Sequence, residues 1–493
     1  MRGCTIAGVA VALLLAGASA AYAFDPAVEA ENYSKGLERQ AIYTSPGYEL
    51  QLRLISQQNG LNALKMQATD PGREFVSDLC WNGNDGCAGD VRLYDWQTKG
   101  YGIVQPVLFT ARNGATLSGH VWATRAGPAK RPGIVITNGS VQADEQLYWY
   151  AAQALAKDGY VVLTFDPQGQ GQSDTLGESP DAQEGTPAQT DGRPFFDGTE
   201  DAIDFFLSNP SHPYEPVPSC NSGTSHAAKQ ARRVAAGLDA AYNPFWKLLD
   251  PSRLGIAGHS YGAAGVSYIG QWDPRVKAVV AWDNLSEPNP SGGSGGLPGE
   301  QGCVDASQRT VPPITKPALG MSADYFIPPL PNTSDPDPLA KSTESLAYSK
   351  VGVDTGEIII RGGTHYDFSF IPNNAFTASL RGADEIAWYT SAWFDRYVKG
   401  DASAVRRLVT DRWRNDSAEA AVDPHGDGNM FSFYYRSRLD IAGFHCENLR
   451  AGCAGMESDD GEPPNYSYVK VDTTPDGPGR PGTPRGTGIY GSG

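Results

Sequence analysis

Residues 102–400 are built of short apolar runs that alternate with amphipathic stretches. The first two runs, Ile103–Ala111 and Thr116–Thr124, predict strands, and the Asn113-Gly114 pair between them predicts a hairpin. The later runs are apolar at consecutive positions, which is typical of strands buried on both faces. These buried strands are predicted at Gly133–Thr137, Tyr160–Phe165, Leu254–Ala257, Val276–Trp282, Ala318–Met321 and Glu357–Ile360.

Segments with helical character separate these strands. They lie at Leu147–Asp158, Thr199–Leu207, Ala263–Ile269 and Glu385–Val398. Because buried strands that alternate with helices are typical of a parallel sheet covered on both faces, the pattern predicts an α/β fold. We expect a mostly parallel central sheet with helices on each side.

The rest of the chain is expected to flank this α/β region, which we place at residues 102–400. Residues 24–101 predict an N-terminal extension, with helices at Ala27–Gln40 and Tyr48–Gln58. Residues 401–454 predict a C-terminal extension, and residues 455–493 predict a loosely ordered tail rich in Gly and Pro.

Two insertions interrupt the alternating pattern, at residues 209–250 and 286–316. Both would emerge above the carboxyl ends of strands, where open α/β sheets bind their ligands. They are therefore candidates for a lid or a substrate rim, and surface decoration is the alternative interpretation.

The first 23 residues have the pattern of a secretory signal peptide. Met1-Arg2 supplies a positive start, Ile6–Ala16 is an apolar run too short to span a bilayer comfortably, and Ala21–Ala23 is an A-x-A cleavage site. We expect cleavage near Ala23 and secretion to the periplasm or the extracellular space. A retained N-terminal anchor is the alternative, and no later segment predicts stable membrane insertion.

Cysteine usage agrees with export. Without Cys4, the mature chain keeps an even number of cysteines, which favours disulfides in an exported protein. The candidates are Cys80, Cys87, Cys220, Cys303, Cys446 and Cys453. Cys80 with Cys87 and Cys446 with Cys453 would close local loops, which leaves Cys220 with Cys303 to join the two insertions. A zinc site is the competing interpretation, but neither close pair has C-x-x-C spacing.

The net charge of the chain indicates which partners are disfavoured. The chain has 56 acidic and 39 basic residues, a formal net charge of −17. A surface with this excess of negative charge disfavours nucleic acid and anionic membranes as partners.

The segment Gly258–Gly262 reads G-H-S-Y-G, with a predicted strand before it and a predicted helix after it. This context makes the pentapeptide a candidate nucleophile elbow. The turn is so tight that a Cβ two positions before or after the serine would collide with the backbone. Ser260 is thus the candidate nucleophile, at the N-terminus of a helix.

A serine hydroxyl needs a base, and the base needs an orienting acid. His365 follows the Glu357–Ile360 strand in a Gly-containing loop, and we predict that it is the base, whereas His259 is expected to be structural. Asp324, after the penultimate strand, is the predicted acid because the order serine, aspartate, histidine then matches one known arrangement. Asp283, which closes the Val276–Trp282 strand, is the competing acid.

The oxyanion formed by the attack needs two preorganised donors. We predict the backbone N–H of Tyr261 as one and that of Ser140, in the loop after Gly133–Thr137, as the other, with Val141 as the alternative. The aromatic side chains of Tyr148, Trp149 and Phe326 could line a substrate pocket or belong to the core.

With these motifs, residues 102–400 resemble the α/β-hydrolase superfamily, in particular its secreted serine esterases and lipase-like members. The resemblance rests on G-H-S-Y-G around Ser260, on Asp324, and on His365 in G-G-T-H-Y-D. The segment Asp166–Ser173 also looks like the family's turn after a strand, with Gln168 where the family often has Arg. The resemblance implies hydrolysis of carboxylic esters through an acyl-Ser260 intermediate, without a metal or an organic cofactor.

Other functions fit the same side chains. A peptidase or amidase would use the same triad, and an acyltransferase would differ only in excluding water from the acyl-enzyme. A binding protein without activity is disfavoured by the intact set of serine, histidine and aspartate. The expected partner is a small-molecule or polymeric ester, and the oligomeric state stays open.

Overall fold

The computed structural model describes most of the chain between residues 46 and 457. The described residues are 46–73, 80, 87–140, 144–182, 193–288, 311–327, 330–331, 345–370, 378, 380–410, 437–449 and 452–457. The predicted signal peptide and the predicted helix Ala27–Gln40 lie outside them, as do most of the 286–316 insertion and most of the C-terminal tail.

One sheet contains all the named strands of the described residues. In chain order they are β1 (Gly102–Thr110), β2 (Thr116–Thr124), β3 (Arg131–Thr137), β4 (Val161–Phe165), β5 (Leu249–His259), β6 (Val276–Trp282), β7 (Ala318–Ile327), β8 (Leu330–Pro331), β9 (Thr355–Thr364), β10 (Arg438–Ile441) and β11 (Phe444–Cys446).

The strand order is β1-β2-β4-β3-β5-β6-β7-β9-β10-β11, with the short β8 paired to β7. The central strands β4, β3, β5, β6, β7 and β9 run parallel to one another. At one edge, β2 pairs antiparallel with β4 and with β1. At the other edge, β10 pairs antiparallel with β9 and with β11. The predicted α/β fold with a mostly parallel central sheet is confirmed.

Helices connect the strands and cover both faces of the sheet. The α-helices with described bounds are α1 (Pro46–Thr69), α2 (Tyr94–Thr98), α3 (Trp149–Lys157), α4 (Arg193–Leu207), α5 (Ala227–Ala235), α6 (Tyr261–Trp272), α7 (Leu380–Phe394) and α8 (Val405–Leu408). Residues 345–350 are also helical. Short 3-10 turns lie at Val91–Leu93, Glu145–Tyr148, His365–Asp367 and Ala402–Ala404, and a π-helical turn at Asp395–Lys399.

The central strands are buried on both faces, as their continuous apolar runs predict. In β3, Ile134 and Ile136 belong to the core layer that contains residues of α3 and α7. Val135, between them, belongs to the opposite layer with residues of α4 and α6. Successive side chains of a strand point to opposite faces, so an apolar residue is needed at each position.

Several elements are longer than their apolar patterns. β5 begins at Leu249 because Leu249 pairs with Arg131 ahead of the apolar segment, across an irregularity in the register. β7 extends to Ile327 and β9 to Thr364, since the two strands stay paired as far as Tyr325 and Thr364. The sequence pattern marks only the buried part of each strand.

The regions flanking residues 102–400 also contact the sheet. Leu52 and Ile55 of α1 are buried in the core layer that contains α3 and α7. β10 and β11, within residues 401–454, extend the sheet beyond β9. In the 209–250 insertion, Gln230 accepts a hydrogen bond from the Thr110 N–H at 2.8 Å, which holds α5 against β1.

Two of the predicted disulfides are present, Cys80–Cys87 and Cys446–Cys453. Cys220 is also disulfide-bonded, and Cys303, its predicted partner, lies outside the described residues. Disulfides are compatible with an exported protein. Among the described helices, none has the length and apolar character needed to cross a membrane.

The hairpin between β1 and β2 generates a prediction about stability. Gly114 has φ +84°, and an added Cβ would lie 2.6 Å from the Glu178 Cβ, whereas Gly100 has φ +82° and open space around it. Both Gly→Ala variants force an L residue into the left-handed region, at about 1 kcal/mol or more. We expect Gly114→Ala to lower the free energy of unfolding by about 2 kcal/mol or more, because it adds a clash.

Urea denaturation of both variants is the measurement, with Gly100→Ala as the matched control for backbone strain. Equal destabilisation of the two variants would show that the contact between the hairpin and Glu178 is absent.

Candidate active site

The turn from β5 into α6 is strained at Ser260. Ser260 is the residue that caps α6, with φ 56° and ψ −118°, a region that L residues rarely adopt. An added Cβ at Gly258 would lie 2.3 Å from the Gly262 carbonyl oxygen, and one at Gly262 would lie 2.3 Å from the Asn138 carbonyl oxygen. Both glycines are therefore required by close backbone contacts, as the G-x-S-x-G pattern predicts.

The loop after β3 passes directly beside Ser260. An added Cβ at Gly139 would lie 3.2 Å from the Ser260 Cβ. The Ser260 N–H donates to the Trp282 carbonyl at 2.9 Å, so it is not available to a substrate. Within the described part of the chain, the Ser260 hydroxyl forms no hydrogen bond with a side chain.

His365 lies at the carboxyl end of β9, on the first turn after the strand. Its Nδ1–H donates to Asp283 Oδ2 at 2.6 Å, and both side chains are largely buried. Thr364 and Asp367 hold the turn, since the Thr364 hydroxyl accepts from Tyr366 N–H and the Asp367 carboxylate accepts from Thr364 N–H. The contact with Asp283 uses Nδ1, and the second ring nitrogen is Nε2.

The two candidate acids have different positions. Asp283 follows β6, with φ 44°, and its N–H donates to the Met321 carbonyl at 2.7 Å, which fixes the backbone. Aspartate tolerates the left-handed region better than most residues. Asp324 lies within β7 rather than in a loop after it, because β7 continues to Ile327, and the Asp324 side chain lies outside the described residues.

A second imidazole contacts His365. The rings of His259 and His365 are 4.3 Å apart between centroids, which brings His365 beside the residue that precedes Ser260. Burial lowers the pKa of His259 well below its usual value, and the nearby His365 lowers it further. His259 is therefore neutral over the ordinary working range of pH.

The predicted oxyanion donors flank the turn. Tyr261 is the first residue of α6, where N–H groups point out of the helix and the dipole favours negative charge. The Gly139 N–H already donates to the Tyr148 hydroxyl at 2.9 Å. Among the contacts of the described residues, the Ser140 N–H has none, and the alternative donor, Val141, lies outside them.

A buried carboxylate anchors the loop that carries Ser140. Asp166, directly after β4, accepts from Asn138 Nδ2 at 2.7 Å and from the Glu145 N–H at 2.7 Å. Its second oxygen accepts from the Gln172 N–H at 2.9 Å. The segment that starts at Asp166 is thus a structural turn whose carboxylate holds both ends of the loop between β3 and α3.

Two of the three aromatic residues suggested for a pocket, Tyr148 and Trp149, lie in the core. Trp149 packs edge-on against Trp122 and His120 in the core. Tyr148 is fully buried, and its hydroxyl also contacts His259 Nδ1 at 2.8 Å. The Phe326 side chain lies outside the described residues. The contact of Tyr148 with His259 had no signal in the sequence, since the two residues are 111 positions apart.

In the residues that the structure describes, no group of three or more His, Cys, Asp or Glu side chains is arranged to hold a metal ion. The cysteine pairs weighed as zinc ligands, Cys80 with Cys87 and Cys446 with Cys453, are disulfides.

Comparison with known proteins gives one relevant similarity. No protein-family model matches the chain. The thiohydrolase apmlB of Arthrinium phaeospermum is 27% identical over 180 residues, which are 36% of this chain and 43% of that protein. The match therefore spans less than half of the relative's length. This distant similarity to a protein named as a hydrolase supports hydrolase activity in general.

The Asp166 network predicts a local energetic effect. In Asp166→Asn, one of the three N–H groups now held by the carboxylate loses its acceptor in a buried site. We expect the free energy of unfolding to fall by about 1–3 kcal/mol. Urea denaturation measures the change.

Asp250→Asn is the matched control. Asp250 is partly exposed and accepts from Ser252 and Arg253, so its replacement should cost less than about 1 kcal/mol. A loss in Asp166→Asn no larger than in this control would contradict the anchoring role.

Proposed function

We propose that this protein is a secreted serine hydrolase of the α/β-hydrolase type, which cleaves carboxylic esters through an acyl-Ser260 intermediate. The observation that carries the proposal is the hydrogen bond from His365 Nδ1 to Asp283, since the His365 ring also contacts His259, the residue before the strained serine of a strand–turn–helix elbow. The position of the elbow, at the carboxyl end of a central parallel strand, supports the fold assignment.

The proposed reaction begins at Ser260. His365 Nε2 removes the hydroxyl proton while Oγ attacks the ester carbonyl carbon. The Asp283 carboxylate keeps the proton of the ring on Nδ1 and stabilises the imidazolium that forms. The imidazolium then gives its proton to the departing alkoxide. A water molecule, activated by the same ring, attacks the acyl-enzyme and releases the carboxylic acid.

The N–H groups of Tyr261 and Ser140 are the proposed donors to the oxyanion. Their loops meet where Gly139 approaches the Ser260 Cβ, and Asp166 holds the β3 loop in place before substrate binds. Donors fixed in advance stabilise the developing charge without further reorganisation. The N-terminal end of α6 adds a favourable dipole at the same point.

We assign the orienting acid to Asp283 in this proposal, in place of Asp324. The support is the 2.6 Å hydrogen bond from His365 and the burial of both partners, which strengthens an interaction between charges. The Nε2–Oγ contact with Ser260 is absent from the described hydrogen bonds, and such contacts often tighten only when substrate binds.

Thioester hydrolysis is a second candidate, favoured by the name of the relative, a thiohydrolase. The same acyl-Ser260 intermediate would form, and the leaving thiolate would need less help from the imidazolium than an alkoxide does. Export of the enzyme is part of the proposal, supported by the disulfides and by the signal-peptide pattern of residues 1–23.

Removal of the nucleophile or the base should abolish turnover. We expect Ser260→Ala and His365→Ala to lower kcat on p-nitrophenyl esters by about 10⁴-fold or more, because each change removes a covalent or proton-transfer step. Spectrophotometric assays measure the loss, and circular dichroism checks that the variants fold. Retention of more than about a tenth of the activity in a folded Ser260→Ala variant would refute the nucleophile.

The two candidate acids are separated by a matched pair of variants. Asp283→Asn should lower kcat by about 10³- to 10⁴-fold, because an amide favours the wrong tautomer of His365. Asp324→Asn should change kcat by less than about tenfold. The kcat of both variants is measured by spectrophotometric assay, once on an ester and once on a thioester with the same acyl group. The reverse order of effects would restore Asp324 as the acid.

A further inference from the structure

The Tyr148 hydroxyl lies between two parts of the candidate site. It accepts from the Gly139 N–H at 2.9 Å, in the loop beside Ser260. It also contacts His259 Nδ1 at 2.8 Å, and the His259 ring contacts that of His365 at 4.3 Å. One buried oxygen thus connects the proposed oxyanion loop with the imidazole next to the proposed base.

Hydrogen-bond accounting assigns the proton in this connection. The Tyr148 side chain has no exposed surface, and its hydroxyl has these two contacts. Because the Gly139 N–H is a donor, the hydroxyl accepts from it and has its own proton to give. His259 Nδ1 is the acceptor within reach, so His259 carries its proton on Nε2. The opposite assignment would leave two buried groups, the Tyr148 O–H and His259 Nε2, without a hydrogen bond, whereas this one leaves only the Nε2–H, which forms none among the described residues.

The state of His259 matters to its neighbour. Base catalysis creates a positive charge on His365, and a second positive charge on a ring 4.3 Å away would oppose it. His259 is fully buried, and its pKa is held well below its usual value by that burial and by His365. A hydrogen bond from Tyr148 to Nδ1 protects the neutral form further, because it occupies the atom that would take the second proton.

We infer that Tyr148 is a positioning residue of the active site, which fixes the oxyanion loop through the Gly139 N–H and fixes His259 in its neutral Nε2–H form beside His365. Tyr148 acts on the site through Gly139 and His259, because its side chain is buried and does not contact the reacting atoms. The inference rests on the proposed function, since it assigns roles around Ser260 and His365.

The main test is a double-mutant cycle at Tyr148 and His259. Tyr148→Phe removes the hydroxyl and keeps the ring, and we expect kcat to fall by about 10- to 100-fold while KM changes less than about threefold. His259→Leu removes the acceptor and should have a similar effect. The kcat of the double variant should lie within about threefold of the kcat of the less active single variant, because both substitutions break the same hydrogen bond.

Two variants distinguish positioning from general packing. His259→Asn keeps an acceptor near the position of Nδ1 and should restore at least about a third of the kcat lost in His259→Leu. Tyr160→Phe removes another buried hydroxyl, which donates to Asp395 at 2.8 Å, at the opposite end of β4 from the site. It should lower the melting temperature and leave kcat unchanged.

A readout without turnover tests the proton assignment. In ¹⁵N spectra of the full-length protein at neutral pH, His259 Nδ1 should have the shift of an unprotonated acceptor, and Tyr148→Phe should alter that shift. A proton on Nδ1 in the wild type would overturn the assignment. A Tyr148→Phe kcat within twofold of wild type, or single effects that multiply in the double variant, would overturn the positioning role.

Failure of the proposed function has a different signature. If the wild-type enzyme hydrolyses neither an ester nor a thioester, the reaction proposed for Ser260 is wrong, and the kinetic role inferred for Tyr148 falls with it. The ¹⁵N readout still decides whether the hydrogen bond to His259 exists. An active wild type with an unaffected Tyr148→Phe variant refutes the positioning role alone.

Discussion

The backbone at the carboxyl edge of the sheet turns from β5 into α6 in very little space. Neither Gly258 nor Gly262 can carry a Cβ there, because the Gly262 and Asn138 carbonyl oxygens lie 2.3 Å from the two added atoms. These contacts place the elbow beside the loop after β3, and the Ser260 N–H joins it to the end of β6 through the Trp282 carbonyl. The chemistry proposed for Ser260 depends on these contacts, since a wider turn would move the hydroxyl away from both the loop and the imidazole.

Buried polar contacts fix the loops around the elbow. Asp166 holds the loop after β3 from one side, and Tyr148 holds the same loop at Gly139 from the other. Asp283 fixes the ring of His365 while its own N–H is tied to β7. Each buried polar group is costly unless it is bonded, so these contacts favour one arrangement of the site over looser alternatives.

The hydrophobic pattern was enough to predict the central strands, because strands buried on both faces must be apolar at every position. β10 and β11 were missed because they are short and polar at Asp440 and His445, and they pair at the edge of the sheet. The tight turn at Gly258–Gly262 was predictable from five residues, since its glycines answer a local steric requirement. The position of His365 was predictable for a related reason, as a histidine in a loop directly after a strand.

The position of the proposed acid and the contacts around the proposed base were harder to predict. Motif order favoured Asp324, but whether a residue leaves a strand or continues it is set by pairing with the neighbouring strand, and β7 continues past that position. Asp283 reaches His365 because β6 ends there. Tyr148 and His259 are 111 positions apart, so no local pattern records their contact.

The most direct test of the proposed chemistry is covalent labelling of the wild-type protein with a fluorophosphonate, followed by digestion and mass spectrometry. The proposal predicts a single phosphonylated residue, Ser260, and loss of labelling in His365→Ala. A label on another residue, or no label on a folded protein that hydrolyses esters, would contradict the assignment of Ser260 as the nucleophile.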